Sequence, residues 1–279
     1  MENLEDARGR SPDEPADLEL KQNPWRNWRP RELGLTAVIL GGALLAWEIC
    51  TRTGLLPALS FPAPSTILRA LVRSIRTGTL AANLGITLLR MAYGLGLGGA
   101  AGLMLGLLMG WSTRMRAVVD PLIAAAHPVP KIALLPLIML IFGVGEASRV
   151  LVIALAAFFP MLISTMAGVR QISPIYYEVA ASYGASVAQE FTRIVLPGSL
   201  PFILSGLRLA LNNALLLTIA VELVNAQEGL GAQIWFAWET LRTDELYATL
   251  AVTAMLGTGG NYLLQELAFH VVPWQVERP

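Results

Sequence analysis

The side chains able to do covalent chemistry are few and scattered. The chain has 279 residues with two histidines, His127 and His270, and one cysteine, Cys50. No metal-ligand cluster and no internal disulfide follow from that set, and both histidines read as satisfied or interfacial. No GxxxxGK(S/T) phosphate loop, GxSxG elbow or HExxH pair occurs, so nucleotide hydrolysis, acyl transfer and zinc proteolysis have no site here. What remains is a set of polar groups inside apolar runs: Arg90, Lys131, Arg208, Glu222 and Glu266, with the amides Asn212 and Asn213. In hydrocarbon such groups are costly, so each marks a route, a pair or a snorkelling contact. The expected chemistry is recognition and passage.

Composition fixes where these groups must sit. Apolar residues make up 54% and charged residues 14%, against about 25% charged in soluble domains, so the chain reads as an all-α polytopic membrane protein bound by membrane lipid. Its formal net charge is zero, which gives nucleic acid no electrostatic footprint. Residues 1–24 hold seven acids, three bases and three prolines and read as a disordered acidic tail before a transmembrane domain over 25–279. No signal peptide is discernible; the first apolar run would direct insertion. At about 20 residues per crossing, six are expected: Leu33–Ile49, Asn83–Trp111, one within Ala117–Phe142, Val150–Val169 with a kink at Pro160, Pro201–Val224 and Leu246–Val272. An even number puts both termini on one side. Trp25, Trp28, Arg26, Arg29 and Arg31 suit a cytoplasmic interface before the first crossing. Basic residues divide nine to six in favour of the side holding the termini.

The connecting pieces have their own signatures. After Pro62 and Pro64, Ser65 is placed to cap an amphipathic helix carrying Ile67, Leu68, Leu71, Val72 and Ile75 on one face and Arg69, Arg73 and Arg76 on the other, suited to the membrane interface. Gly94, Gly98, Gly102, Gly106 and Gly110 recur every four residues, a ridge that lets a neighbouring helix approach closely. Ser112 to Arg116 reads as a short basic turn. Pro121, Pro128, Pro130 and Pro136 exclude a straight helix, leaving either one broken span or a cytoplasmic segment followed by a short span from near Lys131. Irregular backbone at membrane depth must line a cavity or be buried in protein, so Lys131 and Pro136 are candidate pathway residues. Asn212 and Asn213 fall at mid-span and suit a weak, transient site. Glu222, about 21 Å beyond Arg208 at helical rise, falls near the opposite face, where it could seat a partner, gate the route or pair with Arg90; a structural pair is the plainest account.

One polar stretch lies between the fourth and fifth crossings, within 174–197. From Glu178 to Pro197 it reads EVAASYGASVAQEFTRIVLP. Ala180 and Ala181 favour helix and leave the backbone approachable. Gly184 can take positive φ and end a first helix, and Pro197 is tolerated in the first turn of the next. The expectation is helix, turn, helix and a re-entering span, shaped for another protein to grip.

The spacing of Glu178, Ala180, Ala181, Gly184, Ile194, Leu196 and Pro197 resembles the Glu-Ala-Ala loop of ABC importer permeases, with Val179 where alanine is usual. FPAPS from Phe61, HPVPKIALLPL from His127 and FGVGEASR from Phe142 resemble the aliphatic-sulfonate, taurine and nitrate branch. The resemblance implies a type I importer fold with six transmembrane helices in a bacterial inner membrane, both termini cytoplasmic. It implies ABC ATPase subunits holding ATP and Mg and docking on the loop, a second permease copy, and an extracytoplasmic solute-binding protein. This chain itself would bind no cofactor. The solute would be a small organic or inorganic anion; related permeases serve pyrimidine precursors. An ion-gradient-driven secondary transporter is the other class, but it gives no reason for the loop's spacing.

Overall fold

The computed structural model describes residues 30–225 and 227–272. The expected tail over 1–24 and the flanking Trp25, Arg26, Trp28 and Arg29 lie outside them. Two units are distinguished, Met1–Ala58 and Leu59–Pro279. The first contains α1 (Pro30–Arg52), apolar from Ala37 to Trp47 before Glu48 and Arg52 pair at 2.5 Å.

The second unit begins with α2 (Pro64–Arg76). Ser65 does not cap it. Ala63 is the extended N-cap and Pro64 opens the helix, because a proline's fixed φ and missing N–H suit the first helical position. Ala70 and Ser74, one turn apart, are the buried residues. Gly78, at φ 75°, turns the chain into α3 (Thr79–Trp111), which carries the glycine ridge.

The ridge receives α6 (Glu146–Arg170). A Cβ on Gly98 would lie 1.9 Å from the Ala154 carbonyl oxygen, one on Gly102 2.4 Å from that of Phe158, and one on Gly106 2.7 Å from that of Leu162. Gly94 meets Ile153 and Gly110 meets Val169, so the two helices run in the same direction. The chain between them must therefore return across the bundle. It does so in two pieces: α4 (Thr113–Ala126), then a 3₁₀ turn at Lys131–Leu134 leading into α5 (Leu135–Phe142), with an 88° bend between. By length and composition the two pieces make a broken span or a re-entrant loop. Pro128 and Pro130 fall in the break, and Pro136 sits in the first turn of α5. Ser112 to Arg116 is no free turn: the Ser112 hydroxyl caps α4 by accepting the Met115 N–H.

Pro160 lies inside the continuous α6. Beyond it come α7 (Pro174–Ser182) and α8 (Val187–Glu190), then a π turn at Phe191–Val195 and α9 (Leu196–Asn225). Pro197 falls in the first turn of α9, where its missing N–H was expected to be tolerated. The π turn shifts the hydrogen-bond register just before the proline, with the Leu196 N–H reaching back to the Phe191 carbonyl, so the missing proline donor falls where the ladder is already rearranged. The fifth crossing thus extends unbroken from Val187 to Val224. It packs antiparallel to α6, with Gly168 against Phe202 and Gly206 against Ser164.

After α10 (Leu230–Glu239), α11 (Thr243–Val271) runs antiparallel to α9, Gly260 against Leu211 and Gly257 near Leu215. Among the described residues four helices are both long and apolar enough to cross a bilayer, or five if the bent pair α4 and α5 is one span. The expected sixth, α11, has 29 residues, about 43 Å at helical rise, but its threonines, glycines and Asn261 make it less apolar. The core of the second unit joins Ile153, Ala157 and Met161 of α6 to Ile203, Ala210 and Ala214 of α9, and every described element in both units is helical.

Candidate functional site

The loop between α6 and α9 is built on a Schellman turn. Ser173 is an extended N-cap and Pro174 opens α7. At the other end Gly184 has φ +68°; its N–H reaches the Ala181 carbonyl at 3.0 Å, and the Ala185 N–H reaches that of Ala180 at 2.9 Å. These bonds satisfy carbonyls that a helix end leaves orphaned. Ser186 then starts α8 through a capping box, its hydroxyl accepting the Gln189 N–H while the Gln189 side chain accepts the Ser186 N–H.

Each residue expected here has a structural place. Ala180 and Ala181 supply the capped carbonyls and Gly184 the turn. The backbone carbonyl of exposed Glu178 accepts the Ser182 hydroxyl. Ile194 belongs to the π turn, while Leu196 and Pro197 begin α9. The surface the loop offers comes from residues the sequence reading passed over. Ile175, Val179 and Tyr183, four residues apart, lie exposed with Tyr176 and Val187; Tyr183 is 87% exposed. An i, i+4, i+8 apolar series in a segment already placed in water was the available signal. Tyr177 faces the other way and is half-buried; burial pushes its phenol pKa up, aided by the Glu190 carboxylate, so the ring stays neutral under α7. The loop lies at the end of the bundle where α3 finishes, since Trp111 stacks on Phe191 at 5.2 Å.

The remote end holds a second constellation. Arg90 of α3 donates from Nε and Nη2 to the two Glu146 oxygens at 2.7 Å each, and from Nη1 to Glu222 at 2.8 Å and to the Glu228 carbonyl at 2.7 Å. Glu222 is completely buried. It also accepts the Thr87 hydroxyl, which lies 3.0 Å from both its oxygens, and the Gly231 N–H at 2.9 Å. Thr87 accepts the Leu230 N–H, and Asn83 accepts the Gly229 N–H and donates to Gln233. Gly229, at φ +113°, admits no side chain; a Cβ would fall 2.4 Å from the Glu222 carboxylate. The pair weighed from sequence is therefore a four-charge chain, Glu222–Arg90–Glu146–Arg149, the last contact at 2.5 Å. Arg90→Met strands a buried carboxylate and should cost about 3–5 kcal/mol, read as a lower thermal midpoint of the detergent-solubilised protein.

The other polar candidates are dispersed. Lys131 donates to the His127 carbonyl and lies over the Phe159 ring at 4.7 Å. Asn212 accepts from Asn261 of α11 at 2.7 Å, whereas Asn213 is exposed at mid-span. Glu222 is ten residues from Asn212, about 15 Å along the helix. Pro136, Arg208 and Glu266 are exposed, and the Glu266 carbonyl lies 2.8 Å from His270 Nδ1.

A helical membrane bundle that presents an apolar knuckle between two of its crossings is the architecture of an importer's permease component. The chain belongs to the family described as binding-protein-dependent transport system inner membrane component, whose model matches residues 98–274; it is a permease component of an ABC importer. It is similar to the taurine transport system permease protein TauC of Escherichia coli (strain K12), 34% identical over 265 residues that cover 93% of this chain and 96% of that one. It is also similar to the putative aliphatic sulfonates transport permease protein SsuC of Bacillus subtilis (strain 168), 33% identical over 248 residues covering 88% and 90%. Among solved structures, the inward-facing MetNI methionine ABC transporter superposes with a TM-score of 0.55 at 20% identity, over 68% of this chain and 93% of that one; this likeness concerns the fold.

Proposed function

We propose that this permease forms, with a second copy of itself, the pathway for a small sulfonate-type anion, and that a separate ABC ATPase holding ATP and Mg grips α7 from the cytoplasm. The carrying observation is the exposed apolar face of Ile175, Val179 and Tyr183 on a helix outside the bilayer and held in shape by its own caps. An apolar surface in water calls for a protein partner. Arginines occur at both ends of the bundle, so the orientation rests on α7: its partner hydrolyses ATP, which places the loop, and with six crossings both termini, in the cytoplasm. A solute-binding protein then meets the opposite end. The exposed mid-span Asn213 supports a polar route or an interface with the second copy at that depth, because an amide facing lipid lacks hydrogen-bond partners. The sulfonate assignment comes from the two permeases named above.

Val179→Ser combined with Tyr183→Ser removes docking area without touching the Schellman bonds. ATPase recovered with the tagged permease should fall about tenfold or more while the permease keeps its elution profile. The decisive assay is uptake of labelled taurine and alkanesulfonates by proteoliposomes holding permease, ATPase and binding protein. ATP-dependent accumulation is expected. Accumulation by the permease alone under a proton or sodium gradient would identify a secondary transporter instead.

A further inference from the structure

We infer that the network around Arg90 and Glu222 is a clamp that stays shut throughout transport, so that α3, the start of α6, the end of α9 and the start of α10 move as one jaw. This rests on the proposal that α7 is where the ATPase pulls.

Four elements meet at the network, three through side chains and the start of α10 mainly through backbone groups. α3 contributes Asn83, Thr87 and Arg90, α6 contributes Glu146, and α9 contributes Glu222; α10 brings the N–H groups of Leu230 and Gly231 and the Gln233 side chain. Glu222 is fully buried and takes donors from three separate residues, while Arg90 spends three nitrogens on two carboxylates and a carbonyl. Parting Arg90 from Glu222 would leave an uncompensated charge on each side where there is little water to replace the lost partner; Glu146 is more exposed, and α6 is held to α3 chiefly by the glycine ridge. A joint that must open in every cycle would not be built this way.

The same end of the bundle offers a looser contact. Arg73 of α2 lies 4.0 Å from Asp244 and 3.8 Å from Glu245 of α11, its side chain 57% exposed; solvated pairs at that range are weak and exchange readily. Movement at this end therefore falls between the jaw and the pair formed by α2 and α11. Both helices that leave the coupling loop, α6 and α9, are continuous as far as the jaw, so displacement of α7 is carried there along both. Arg90 and Glu222 act as positioning residues for the mouth of the pathway.

The test uses two cysteine pairs in a Cys50→Ser background, assembled with ATPase and binding protein and joined by a reducible bis-methanethiosulfonate. With Asn83→Cys and Gln233→Cys, whose native side chains touch at 3.1 Å, cross-linked protein should keep its ATP-driven uptake within about twofold of the uncross-linked form. With Arg73→Cys and Glu245→Cys, cross-linking should reduce uptake about tenfold or more and dithiothreitol should restore it, as expected where a joint gates turnover. Loss of uptake on cross-linking the first pair, restored by dithiothreitol, overturns the clamp. Spin labels on Asn83→Cys and Gln233→Cys give a readout independent of transport. Their distance distribution should be the same in nucleotide-free and ATP-trapped complexes, and a shifted distribution overturns the clamp. The two proposals fail separately: a complex that takes up nothing with ATPase bound refutes the transport assignment, while the spin-label distance still decides the clamp.

Discussion

Gly98→Leu is expected to abolish the folded permease. At this position a Cβ would sit 1.9 Å from the Ala154 carbonyl oxygen and 2.8 Å from its Cα, and both belong to the α6 backbone, which has no rotamer to escape into. Overpacking of ordinary cores costs about 1–3 kcal/mol; a backbone obstacle on the line of closest helix approach places this substitution above that range. Gly98→Ala collides with the same atoms and should already lower the thermal midpoint clearly. Gly85, in the same helix with open space around it, is the control: Gly85→Ala should be neutral or stabilise by about 0.5–1 kcal/mol through helix propensity. Fluorescence-detected size exclusion of tagged protein reads all three. A monodisperse Gly98→Leu protein with an unchanged midpoint would show that α3 and α6 do not pack as described.

Gly184→Val is expected to leave the protein inserted and folded while reducing ATP-driven uptake about tenfold or more, with ATP hydrolysis no longer stimulated by loaded binding protein. The space around Gly184 is open, so the penalty is conformational. At φ +68° an L-residue with a Cβ meets its own carbonyl at about 1–2 kcal/mol, and β-branching adds to that. The turn then relaxes, the Gly184 and Ala185 N–H bonds to Ala181 and Ala180 are lost, and the end of α7 frays beneath Tyr183. The severity should be graded, Gly184→Asn mildest because asparagine tolerates this region, then Gly184→Ala, then Gly184→Val. Uptake that is indifferent to this series would remove α7 from the coupling role.

The topology was legible because apolar runs of span length are written directly in the chain, and the loop because glycine, alanine and proline constrain the backbone wherever they occur. The rest depended on register between distant segments. Arg90 and Glu222 could be weighed as a pair, but Glu146 could not be added to them until α3 and α6 were seen to run parallel and bring residues 56 positions apart into bidentate contact. Glu146 had been noticed only as a letter in FGVGEASR. Pro197 could be placed in a first helical turn, but the π turn before it, which joins the Leu196 N–H to the Phe191 carbonyl, is announced by no residue type. The exposed face of α7 was overlooked for a different reason: in a chain this apolar, Ile175, Val179 and Tyr183 do not stand out by composition, only by their exposure on one short helix. The proline-rich stretch over 117–142 left two shapes open, and the shared direction of α3 and α6, which no local pattern encodes, adds that the chain must return between them.

The shared direction of α3 and α6 also has a bearing on biogenesis. The glycine-lined helix leaves the ribosome first, and the surface that covers Gly94 to Gly110, running from Ile153 to Val169, is made only after the bent segment has been translated. Until then a strip of nearly bare main chain faces lipid or whatever insertion machinery shelters it. The order of assembly is thereby set: the bent segment must fold back before the seam can close, and nascent chains stalled before residue 153 should be the ones most readily cleared by quality-control proteases.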